Sequence, residues 1–233
     1  MKFMGVSHHA AALVVFFVSA AHRAGAVPMT FDLQGDGDAD LTASVLFSYD
    51  PGTFTISVDI TNTSLLAAGP DPRLTGFAFN VPSGVTGVTS FTGPSGWDDL
   101  FDPDDINTPG QFGFFDLAGV TGPNFNGGSP NDGIARGVTR SFTFLLSGSG
   151  LGLLSEGSFL GLPSFDPPGN PDEDDDYFIA RFQRTGADEQ GSDVALPAGL
   201  PEPVPEPTSL LLLGSGLSGF WFARRKKRSS LQN

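Results

Sequence analysis

Few folds other than a β-hairpin suit the stretch from Leu41 to Thr61. LTASVLFSY sets Leu41, Ala43, Val45, Phe47 and Tyr49 on one face of an extended chain, and FTISVDIT does the same with Phe54, Ile56, Val58 and Ile60. Between them, DPGT supplies the proline and glycine of a tight connection. A helix would scatter those apolar residues around its axis, so a period of two argues against it.

Similar short runs follow. LTGFAFNV, VTGVTSF, QFGFFDL, RGVTRSFTFLL, SFLGL and DYFIARF each read as a strand bounded by Gly, Pro, Asn or Asp. The 31 glycines and 19 prolines supply the turns such a chain needs, and 233 residues suffice for one core of ordinary size. No internal repeat is visible. We therefore expect an all-β body, an antiparallel β-sandwich of jelly-roll type, over residues 27–196.

The two ends differ from this body. Lys2, the apolar AAALVVFFVSAA and the small residues Ala24, Gly25 and Ala26 read as a signal peptide over 1–26, cut after Ala26 so that Val27 begins the mature chain. VSA ending at Ala20 and SAA ending at Ala21 are alternative cut sites. At the other end, LPAGLPEPVPEP is expected as an extended Pro-rich linker over 197–207. An apolar run over 208–223 follows; as a single transmembrane sorting helix it reaches about 24 Å against ~30 Å of hydrocarbon, a marginal span. Arg224, Arg225, Lys226, Lys227 and Arg228 open a basic tail over 224–233, which the positive-inside rule holds in the cytoplasm with the body outside.

Removing the ends exposes a chemical restriction. His8, His9 and His22 all lie in the leader, there is no cysteine, and the lysines are confined to Lys2, Lys226 and Lys227. The body thus lacks the residues for a Ser/His/Asp triad, a Cys nucleophile, a Schiff-base lysine, the usual zinc site or a disulfide. Its five arginines stand against 26 acidic residues, a net charge near −21 that argues against nucleic acid or anionic lipid as a partner.

Three acidic stretches invite a sharper reading. DLQGDGDADL sets Asp32, Gln34, Asp36 and Asp40 at calcium-loop offsets with Gly37 at the sharp turn, yet Ala43 stands where a bidentate Glu is expected; an acidic turn is the plainer alternative. GWDDLFDPDDIN places Trp97 beside Asp98, Asp99, Asp102, Asp104 and Asp105, which fits a sugar-binding loop or, as an alternative, the carboxylates of a secreted glycan-active enzyme. DEDDD over 172–176 reads as a solvated loop. Asn62, Thr63 and Ser64 match an N-glycosylation tripeptide, a common one.

Pro205, Glu206 and Pro207, followed by an apolar stretch rich in small residues (Gly214, Ser215, Gly216, Ser218, Gly219) and then the cluster opened by Arg224 and Arg225, resemble the PEP-CTERM sorting signal. ITNTS, LTGFAFNVP, GVTRSFTFLLSG and RFQRTGADEQGSDVA are similar to body segments of such proteins. LPAGL lacks the Thr of a sortase signal. The resemblance implies a Gram-negative bacterium, export through the general pathway and a transient hold in the inner membrane. It also implies an exosortase as processing partner, a destination at the cell surface or in the extracellular matrix, and association with exopolysaccharide in biofilm. We expect no catalysis and no resident cofactor, with a calcium-dependent adhesin as a further alternative.

Overall fold

The computed structural model describes residues 27–108, 112–165 and 176–204. The hairpin forms as its sequence requires. β2 (Thr42–Asp50) and β3 (Thr55–Asn62) pair antiparallel from Ala43 opposite Asn62 to Asp50 opposite Thr55, and Ala43, Val45, Phe47, Tyr49, Ile56, Val58 and Ile60 are all buried. Phe54 departs from expectation. β3 begins one residue later, and Phe54 sits in the turn at φ 59 with its side chain 39% exposed.

β1 (Met29–Gly35), β4 (Arg73–Phe79), β5 (Val85–Thr92), β6 (Asp98–Asn107), β7 (Phe114–Val120), β8 (Thr139–Gly148), β9 (Phe178–Thr185), β10 (Gly191–Pro197) and β11 (Glu202–Pro203) complete the strands. Hydrogen bonding runs unbroken through the order β5-β8-β3-β2-β1-β10-β9-β4-β7-β6, with β11 on β1. The two free edges, β5 and β6, approach each other without pairing, so the sheet is a nearly closed, barrel-like roll. This corrects the two-sheet sandwich of jelly-roll type: alternation along a strand reads the same on the inside of a barrel or a sandwich, and only the unbroken pairing path distinguishes them.

The interior is aromatic. Phe77, Phe79 and Phe178 lie with parallel rings at centroid distances of 5.8 to 6.4 Å, met edge-on by Phe47 and Phe144. Such pairs add about 0.5–1.5 kcal/mol each beyond the area they bury. With no disulfide, packing of this kind must hold the fold.

One end of the barrel is plugged from within. A 3₁₀ turn (Leu151–Leu153) and α1 (Gly157–Leu160) bury Leu151, Phe159 and Leu160 beneath the β2–β3 turn, with Phe159 against Phe47 and Tyr49. The Tyr49 hydroxyl donates to the Leu151 carbonyl at 2.9 Å, and buried Glu156 accepts the Tyr49 N–H at 3.1 Å. The stretch SFLGL, expected as a strand, supplies α1 and its exit instead. At the far end, fully buried Asn62 donates to the carbonyls of Pro72 (3.0 Å) and Ile134 (2.9 Å) and accepts the Ser64 N–H (3.1 Å). Its amide is a loop fastener, inaccessible to glycosylation in the folded protein.

A second, smaller core lies outside the barrel. Ala78, Ala118, Val120 and Ile179 face away from the interior and are covered by Ile106 and by Phe125 from the loop after β7. The β4–β7–β9 wall is therefore buried on both faces.

Candidate functional site

Where the body hands over to its C-terminal segment is a matter of backbone. β1 rises from the plugged end, and its upper half, Leu33 to Gly35, pairs with Pro197 to Ala195 of β10. The chain then buckles out through residues 198–201, exposing Leu200, and returns as β11, whose Glu202 and Pro203 pair with Thr30 and Met29. Ala198 N–H donates to the Asp32 carbonyl at 2.9 Å, Val204 N–H to the Pro28 carbonyl at 2.7 Å, and the Tyr177 hydroxyl to the Gly199 carbonyl at 2.7 Å. Burial, with Asp176 adding to it, pushes the Tyr177 hydroxyl above its ordinary pKa, which keeps it a donor. Prolines cannot donate to a ladder, which explains why β11 is short and sits on an edge.

The Pro-rich segment expected as an extended linker from residue 197 is paired with the body as far as Val204. A groove of about 500 Å³ opens between the buckle and the outer face of β1 and β2, lined by Thr30, Asp32, Ser44, Gly199 and Glu202 among others.

The carboxylate-rich stretch is not a loop. Residues 98–107 form β6, an edge strand on β7 whose register breaks between Phe101 and Ile106. Buried Asp116 fastens the break, accepting the Asp104 N–H at 2.7 Å and the Val81 N–H at 2.9 Å. Asp102 and Asp105 border a surface groove of about 490 Å³ with Asn107, Asn124 and Asn126. Half-buried Asp99 has its pKa raised, chiefly by desolvation. Trp97 is turned inward against Phe77 and Phe142, its indole N–H donating to the Asp132 carbonyl at 2.8 Å. It is not placed to stack on a sugar. Charges along an exposed edge also deter pairing with another sheet.

The calcium-loop residues diverge. Asp32 and Gln34 project outward from β1, while Asp36 and Asp40 lie in the turn beyond it. That turn aims backbone N–H groups inward: Gly37 and Asp38 donate to the Asp193 carboxylate at 3.1 and 2.9 Å. Among the described residues no group of three or more His, Cys, Asp or Glu is placed to hold a metal ion. Of DEDDD, only Asp176 lies in the described residues.

Residues 203–228 match the family description PEP-CTERM protein-sorting motif. The chain carries a PEP-CTERM sorting signal. Its match begins at Pro203, inside β11, and includes Val204, which is hydrogen-bonded to Pro28. Pro205, Glu206, Pro207, Arg224 and Arg225 fall within the match but outside the described residues, as does the apolar run; Ala26 and the rest of the leader also lie outside them. No helix among the described residues is long and apolar enough to cross a membrane. The motif implies an exported protein, sorted by an exosortase from a membrane-anchored precursor. No curated protein and no solved structure matches the chain.

Proposed function

We propose that the protein is a structural component of the cell surface or extracellular matrix, associated with exopolysaccharide and without catalysis of its own, released to its destination by exosortase cleavage. The sorting motif that begins within the last strand carries this reading. The precursor is held by the apolar run and its basic stop, and the prolines at 205 and 207 disfavour a helix, which would hide the backbone from a processing enzyme. A cut between Pro205 and Thr208 removes the membrane segment and leaves β11 in place, so processing does not cost the barrel a strand. The absence of His, Cys and Lys from the body supports a binding role over nucleophilic chemistry.

Mass spectrometry of the native C-terminus tests the processing. The mature chain is expected to end between Pro205 and Thr208 and to co-fractionate with polysaccharide until that polysaccharide is digested. An exported chain ending at Asn233 overturns the cleavage, and indifference to digestion overturns the polysaccharide association.

A further inference from the structure

The two ends of the described body, Val27 and Val204, lie at the plugged end of the barrel. Met29 pairs with Phe47, so Val27 and Pro28 lie level with the close of β2, and Val204 is bonded beside them. The neighbours there are the β2–β3 turn and the loop after β8. Gly152 lies against the Phe54 ring and the Pro51 carbonyl, and Ser149 N–H donates to the Gly84 carbonyl at 2.8 Å.

This region displays apolar side chains that the barrel does not use. Leu153 is 90% exposed, and Phe54, Leu145 and Val27 are each more than a third exposed. Phe54 also occupies left-handed backbone that an aromatic residue rarely adopts. On the side formed by β2, β3, β5 and β8 this end is nearly free of charge: residues 51–58, 81–97 and 143–155 contain none, whereas the opposite side carries Asp104, beside Val81 through Asp116, and Asp176 at the entry to β9. Asp50 is the exception in the turn, its carboxylate accepting from Gly52 N–H and the Thr53 hydroxyl; Glu156 is buried, and Glu202 lies on β11.

Chain length says what faces this surface. From Val204 to the start of the apolar run at Thr208 an extended chain spans at most about 14 Å. Strands of this length stand about 25 Å tall, so the far end, with Asp36, Asp38 and Asp40, is held away from the bilayer. We propose that in the anchored precursor the plugged end lies on the lipid surface, with Leu153 and Phe54 entering the headgroup boundary. The proposal rests on the apolar run acting as the membrane anchor.

The chain has no cysteine, so Leu153→Cys, Phe54→Cys and, at the far end, Leu66→Cys each create a single labelling position on an exposed side chain. An environment-sensitive fluorophore is attached to each in the full-length precursor, reconstituted in phosphatidylethanolamine–phosphatidylglycerol vesicles. Emission at 153 and 54 is expected to shift to the blue and to fall about twofold with a shallow lipid-borne quencher, the depth of interfacial insertion, while 66 stays water-like and unquenched. Water-like emission at all three positions in a precursor that floats with the vesicles overturns the docking and leaves the anchor standing. A blue shift without quenching overturns the docking in favour of a protein contact. A precursor that fails to float overturns the anchor and the docking with it.

Discussion

The β2–β3–β8 wall and the β4–β7–β9 wall share one interior and solve different problems outside it. On the first, buried and partly exposed residues alternate along β2 and β3 and the outer face meets water. On the second, β4 and β7 are buried at nearly every position, because Phe125, Ile106 and Phe112 cover the outside. One-sided walls write their orientation into a period of two; two-sided walls erase it and substitute small residues where layers meet. Gly119 illustrates the second case: a Cβ there would come within 2.6 Å of the Phe77 ring.

The sharpest way to break this contrast is to truncate one outward-facing residue on each wall. Ile179→Ala, on the covered face of β9, is expected to lower unfolding free energy by about 2–4 kcal/mol through a cavity that cannot collapse. Ser57→Ala, outward on β3, should stay within about 0.5 kcal/mol. Urea denaturation of both variants measures it, and equal losses would mean that the outer core adds nothing.

Alkali probes both walls next. Burial raises the Tyr49 hydroxyl on β2, with Asp50 adding to it, and burial raises Tyr177 at the entry to β9. A folded pKa above the unfolded one makes the unfolded chain the readier to lose protons, so this stabilisation is complete below the ordinary tyrosine value and drains away as pH rises from it towards the folded values. Tyrosinate absorbance is therefore expected to appear together with the loss of strand signal, not before it. Independent titration in a folded barrel would refute the burial argument.

Smallest in size and opposite in sign is the turn on the one-sided wall. Phe54→Gly relieves left-handed backbone and is expected to raise stability by about 0.5 kcal/mol, after the entropic cost of glycine. Thermal unfolding checks it.

These differences also explain what could be read in advance. The 41–61 hairpin, β4, β5, β7, β8 and β9 were legible because turn residues bound an apolar pattern in each. β6 was hidden by its five aspartates, since an edge strand can carry charge that a central one cannot. β1 was hidden because Asp32 and Gln34 fit a ligand offset and an outward-facing strand position equally well. SFLGL is too short for its period to separate a strand from a single helical turn. The sorting signal was legible in the order of its three parts, whereas the attachment of β11 was not: prolines favour an extended chain whether it hangs free or lies on an edge.

The pairing of β1 with β10 and β11 sets an order in time. β1 is the first strand of the body to be made and to cross, and it finds β2 at once, but its other edge waits for strands that begin with Gly191. Contacts this distant in sequence close slowly. Until then β1 and β9 present bare edges to whatever surrounds them, a hazard for a chain full of strands. The last strand arrives with the rest of the sorting motif immediately behind it, so closure of the roll waits for the end of the chain. A chain truncated before residue 191 would thereby keep an open seam beside β1.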